Sequence, residues 1–146
     1  MRILVDTNIL LRAVHLRHPA ARIAINAIKT LHRQQHALCL APQNIVEFWN
    51  VCTRPVDVNG LGLSVAGTDR YVQKLKRIFT VVQDSLQTFQ SWHELVVRHS
   101  IIGSKVHDAR LVAIMRVHGI GSILTFNVKD FTRYNGIAVI PPDEVL

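Results

Sequence analysis

At 146 residues the chain can bury a full core as one domain without disulfides or a structural metal, and 49% hydrophobic with 18% charged residues is the composition of a folded globular domain. A formal net charge of +7, with a sequence pI near 10.1, favours polyanionic partners, nucleic acid before an acidic protein. No apolar stretch approaches the roughly 20 residues that cross a bilayer, and the first apolar run stops too soon for a signal segment, so cytoplasmic residence and no membrane partner are the expectations.

Ile3, Leu4 and Val5 form an uninterrupted apolar run after Arg2 and read as a strand buried on both faces. The run stops at Asp6, and a helical pattern follows from Thr7 to about His15. Pro19 is expected in the first turn of a second helix whose apolar face is Ile23, Ala24, Ala27, Ile28 and Leu31. Ala37 to Leu40 reads as strand two, and Gln43 to Thr53 as a helix ended by Pro55. Cys39 and Cys52 fall in these two elements, form no CxxC pair, and read as reduced packing residues.

Pro55 to Gly67 is expected to be an exposed loop, followed by a strongly basic helix from Thr68 to Ile78 with Arg70, Lys74, Lys76 and Arg77. Phe79 to Val82 fits a short strand, and Ser85 to His99 a helix with Phe89, Trp92, Leu95 and Val96 at core spacing. Ser104 suits the N-cap of a helix that runs to about His118 and stops at Gly119. Ile120 to Thr125 reads as a strand, Val128 to Phe131 as a turn or short helix, and Ile137 to Ile140 as a last strand after Asn135-Gly136. Strands alternating with helices predict an α/β fold: a single domain over residues 1–146 with a parallel twisted sheet covered by helices on both faces.

Four places stand out. Asp6 ends strand one, where open α/β sheets place their ligand sites. Glu47 lies in the helix after strand two, Asp108 in the first turns of the helix near Ser104, and Asn127 and Asp130 follow the strand ending at Thr125. An oxygen-rich cluster of this kind suits Mg²⁺ or Mn²⁺. Each residue also has an ordinary explanation. Asp6 can cap a helix, Glu47 shares a polar stripe with Asn44 and Arg54, Asp108 complements a helix dipole, and Asp130 can occupy a turn. The residues by themselves leave both accounts open.

Other chemistries find less support. His32 with His36, and His15 with His18, have spacings that could share a metal on a helix, yet neither pair has an HExxH pattern or an evident third ligand. No GxSxG, GxGxxG or Walker motif is present. His107 adjoins Asp108 and could contact a substrate phosphate, while Arg12, Arg54, Lys105, Arg110 and Lys129 flank the acids and could steady an RNA backbone.

Several ordered segments resemble the PIN-domain ribonucleases, and within them the VapC-type toxins of bacterial toxin–antitoxin pairs. They are Ile3-Leu-Val-Asp-Thr-Asn8, Thr53-Arg-Pro55, Asn59-Gly-Leu-Gly-Leu63, Val106-His-Asp-Ala-Arg110 and Leu124-Thr-Phe-Asn-Val-Lys-Asp-Phe131. The likeness spans essentially the whole chain. It implies a PIN-like fold and a divalent-metal-dependent endoribonuclease in which Asp6, Glu47 and Asp108 hold Mg²⁺ or Mn²⁺. Asn127 stands where the family usually has a fourth acid, and Asp130, three residues on, is the alternative ligand. Losing that acid implies weaker metal affinity than a four-acid site would have. Thr7, Asn8, His107 and Arg110 are the expected substrate contacts. The resemblance also implies a homodimer, an RNA substrate and a cognate antitoxin. Two rival roles share the fold: a PIN domain retained for RNA binding or scaffolding, and a housekeeping RNA-processing nuclease. A phosphoacceptor receiver domain fits poorly, since Asp6 is followed by Thr7 and Asn8 rather than a second acid.

Overall fold

A computed structural model describes residues 1–146. In chain order the elements are β1 (Arg2–Val5), α1 (Thr7–Val14), α2 (Ala21–Arg33), β2 (Ala37–Leu40), α3 (Pro42–Thr53), α4 (Val65–Ile78), β3 (Thr80–Val81), α5 (Leu86–Arg98), α6 (Lys105–His118), β4 (Ser122–Leu124) and β5 (Ala138–Ile140), with short 3-10 turns at Val56–Val58, Val128–Asp130 and Pro142–Glu144. The sheet order is β3-β2-β1-β4-β5 and every pairing is parallel. No helix is long and apolar enough to cross a membrane.

Strand one is central, which explains its unbroken apolar run: Ile3, Leu4 and Val5 are all fully buried. Alternation along the strand sends them to opposite faces. Ile3 and Val5 pack with Leu38, Leu40 and Leu124 under α1 to α4. Leu4 packs with Cys39 and Ile123 under α5 and α6. Each such side chain contributes roughly 1.5–3 kcal/mol by leaving water. Helix α6 carries five consecutive buried residues, Leu111 to Met115, because the sheet lies on one side of it and α5 along the other. Gly119 ends it in the left-handed region at φ +65°, a conformation glycine adopts without steric cost.

Five expectations shift. Pro19 precedes the N-cap of α2 rather than sitting in its first turn, and Ile23 faces outward at 38% exposure while Ala21 joins the buried stripe. Helix α4 starts at Val65, before the expected Thr68, because the Ser64 side chain accepts from the Gly67 N–H. Phe89 has core spacing on α5 but no element covers it, leaving it 58% exposed. Ser104 occupies the N-cap of α6, yet its side chain makes no capping hydrogen bond; Ser85, by contrast, accepts from the Thr88 N–H at 3.3 Å. Ser85→Ala is therefore expected to cost about 1 kcal/mol in urea unfolding, and Ser104→Ala next to nothing.

Between α3 and α4 the chain folds back on the end of α3. Leu61 and Leu63 N–H groups donate to Val51 and Cys52 carbonyls, and Gly62 N–H to Arg54. Gly60 lies so close to Arg54 that a Cβ there would stand 1.8 Å from the Arg54 carbonyl oxygen. Only glycine fits, and the loop thereby satisfies carbonyls that the helix end leaves free.

Candidate functional site

Asp6 sits where β1 turns directly into α1. Its N–H donates to the Leu124 carbonyl at 3.0 Å, extending the β1–β4 ladder by one step. Extended at φ −70°, ψ 153°, it is the N-cap of α1 as well. One carboxylate oxygen accepts from the Thr7 N–H at 2.8 Å. The other accepts from the Thr125 hydroxyl at 2.7 Å and the Asn8 amide at 3.3 Å. The two accounts open at the sequence level hold together: the residue caps a helix and also carries a buried carboxylate, 8% exposed.

Glu47 is set by the start of α3. Pro42 opens that helix, and the Asn44 side chain accepts from the Ala41 N–H at 2.8 Å and donates to the Thr7 hydroxyl at 3.1 Å. The Thr7 hydroxyl in turn donates to Glu47 Oε2 at 3.4 Å. Gln43, one turn earlier, gives its amide to Glu47 Oε1 at 2.7 Å and to the His107 carbonyl at 2.9 Å. A continuous polar chain thus runs from Thr125 through Asp6 and Thr7 to Glu47, and on through Gln43 to α6.

Asp108 lies in the first turn of α6. Burial pushes its carboxyl up to about 6, helped by the negative charges of Asp130 and Glu47 and opposed by Lys105 and His107. Asp6 is likewise pushed up to about 6, first by burial, against its hydrogen bonds from Thr125 and Thr7, with Glu47 and Asp108 adding to the rise. Asp6, Glu47 and Asp108 therefore feel one another electrostatically across the carboxyl edge of the sheet. Neither Asp6 nor Glu47 has a cation within 4.0 Å. Buried negative charge without positive partners is costly.

The remaining expected residues are placed as follows. Asn127 is exposed; its backbone N–H donates to the Thr125 hydroxyl at 3.0 Å, and its side chain makes no hydrogen bond to any acid. Asp130 is paired with Lys105, whose ammonium also stands 4.0 Å from Asp108 Oδ2. Thr7 is buried with its hydroxyl engaged inside the site, and Asn8 bonds Asp6, Thr125 and the Phe126 N–H. The His107 side chain is exposed and free of hydrogen bonds, while Arg110 bonds Gln43 at 3.1 Å and Asp84 at 3.2 Å. Of the histidines, His18 Nδ1 accepts from the Ala20 N–H and His36 bonds the amino terminus, so both are engaged locally.

Three residues of the site were not anticipated from the sequence: Thr125, Asn44 and Gln43. Thr125 and Asn44 are fully buried. Their signal was faint. Asn44 is three residues past Ala41, the spacing of a capping box, and Thr125 is the polar residue that closes an apolar strand.

The donor set fits a hard divalent cation: all oxygen, with three mutually repelling carboxylates and no cation within 4.0 Å of Asp6 or Glu47. As the side chains stand, no three of His, Cys, Asp or Glu converge to ligand distance. Gln43 and Thr7 hold Glu47, and Lys105 holds Asp130.

The PIN domain family model matches residues 3–137. Solved structures with similar folds include VapBC2 from Rickettsia felis bound to a promoter DNA fragment, with TM-score 0.69 and 14% identity over 96% of this chain and 98% of that one. VapBC-1 from nontypeable Haemophilus influenzae gives TM-score 0.69 and 16% identity over 99% and 100%. Mycobacterium tuberculosis VapC20, described as a sarcin–ricin loop cleaving toxin, gives 0.62 and 19% over 83% and 86%. At these identities the likeness is one of fold. No curated protein sequence matches the chain.

Proposed function

The chain belongs to the PIN domain family, and from that premise we propose that it is a Mg²⁺- or Mn²⁺-dependent endoribonuclease and the toxin of a toxin–antitoxin pair. The observation that carries this reading is the set of Asp6, Glu47 and Asp108, brought from three distant segments to one sheet edge, two of them with carboxyls raised to about 6. The description of VapC20 as a sarcin–ricin loop cleaving toxin supports RNA as the substrate class. The toxin–antitoxin complexes among the similar folds support a protein partner that silences the enzyme, and homodimerisation goes with the same reading.

Asp6, Glu47 and Asp108 would hold the ion. Bound there, Mg²⁺ or Mn²⁺ supplies Lewis acidity that lowers the pKa of a water and offsets charge on the phosphodiester. The protein's own part is orientation. Thr7 and Thr125 fix both oxygens of Asp6, and Gln43 with Thr7 fixes those of Glu47. The reaction is hydrolysis, in which a water oxygen bonds to phosphorus and a ribose oxygen leaves. His107 and Lys129, both exposed beside the acids, suit contacts with the RNA backbone.

The test is cleavage of a structured RNA with Mg²⁺ or Mn²⁺ present. Wild type is expected to cleave, with activity abolished by EDTA and restored by the cation. Activity indifferent to EDTA would overturn the reading. Asn127 favours one second reading, a PIN domain that binds RNA with hydrolysis lost, because it removes an acid from the set. Binding that persists in EDTA, without cleavage under any divalent ion, would favour that account.

A further inference from the structure

Lys105 is the first residue of α6, one turn before Asp108. Its ammonium is taken up by Asp130, on the 3-10 turn after β4, and stands 4.0 Å from Asp108 Oδ2. It is the one cation within 4.0 Å of any of Asp6, Glu47, Asp108 and Asp130. The lysine side chain is 46% exposed and its partner 25%. Pairs so placed add little to folding stability, so their position matters more than their strength. Beyond the three acids of the set, Asp130 is the carboxylate whose charge Asp108 feels, and the lysine is paired with it.

We propose that Lys105 is an internal counter-ion of the acidic site, which keeps Asp130 out of the ligand set and competes with a divalent cation for Asp108; this rests on the metal-site reading above. The ammonium therefore sets the concentration of cation at which the site fills. Held on Asp130, it leaves Asp6, Glu47 and Asp108 as the ligands. Removed, it adds a fourth carboxylate to the field that a cation meets.

The experiment measures Mn²⁺ binding to the full chain at low ionic strength, with free Mn²⁺ followed by electron paramagnetic resonance. Removing the ammonium that stands 4.0 Å from Asp108 Oδ2 is expected to tighten Kd about five- to tenfold in Lys105→Met. Lys105→Arg keeps the charge and is expected to bind like wild type. The gain from Lys105→Met is expected to shrink in an Asp130→Asn background, where no fourth carboxylate is released. Without Mn²⁺, Lys105→Met should melt within a few degrees of wild type, which separates a change in affinity from a change in fold. An unchanged Kd in Lys105→Met, with binding abolished by Asp6→Asn, overturns the counter-ion role and leaves the metal site standing. No Mn²⁺ binding by the wild-type chain overturns both.

Discussion

Asp6→Asn is expected to remove RNA cleavage and, at pH 8, to make the folded chain more stable. Losing a residue that merely orients a metal ligand costs about 10–100-fold in affinity or activity, so a loss of at least about 100-fold is expected from the role proposed for Asp6. Stability moves the other way because the Asp6 carboxyl is raised from 3.8 to about 6, chiefly by burial. A carboxyl raised on folding binds its proton more tightly in the folded chain than in the unfolded one. Below pH 3.8 it is protonated in both states and costs nothing. Between 3.8 and about 6 the unfolded chain has released the proton and the folded chain has not, so stability falls as pH rises. Above about 6 the loss is complete, and the shift corresponds to about 3 kcal/mol. Asparagine keeps an acceptor for Thr7 but gives up charge-assisted bonds, so a net gain of about 1–2 kcal/mol at pH 8 is expected, and none at pH 3.5. Urea unfolding at both values, without divalent cations, reads it directly. Equal destabilisation at both would show that hydrogen bonding, not charge burial, governs Asp6.

The largest loss of stability is expected for Phe48→Ala. Phe48 is fully buried on α3 and packs into the core beneath α1 to α4 with Ile3, Val5 and Leu40. Truncation removes its transfer free energy and leaves a cavity, together about 3–5 kcal/mol. That is a large share of the 5–15 kcal/mol typical of a domain. The consequence reaches the site, because Phe48 adjoins Glu47 and anchors the helix that presents it. Loosening α3 degrades the hydrogen bonds from Gln43 and Thr7 to Glu47. Cleavage per folded molecule is therefore expected to fall as well, measured at a temperature where circular dichroism finds the variant folded. Full specific activity in the folded fraction would show that Glu47 is held by its polar partners alone.

The sheet and most of its helices were legible in the sequence because the chain changes character abruptly at their ends. Val5-Asp6 ends an apolar run at an acid, and Gly119 stops α6. What escaped was whatever depends on a neighbour distant in sequence. Phe89 satisfies the helical period of α5, but periodicity cannot say whether another element lies over it. Gly67 reads as a loop residue until Ser64 is seen to cap the helix through it. The site divides along the same line. Asp6, Glu47 and Asp108 are visible as acids beside apolar runs, whereas Thr125 reads as ordinary strand-end chemistry until its hydroxyl is found on Asp6. Asn127 is exposed, and its backbone N–H donates to that same hydroxyl.

The bond between Thr125 and Asp6 joins residues 119 positions apart, and β1 has no β4 beside it until residues 122–124 exist. Asp6 is synthesised 119 residues before Thr125, so its surroundings are completed long after the residue itself has been made. A polypeptide still growing, or cut short before β4, lacks the hydroxyl that holds one carboxylate oxygen and the carbonyl that anchors the backbone. The acidic site is thereby assembled only once β4 and Thr125 have been made, not as Asp6 itself emerges.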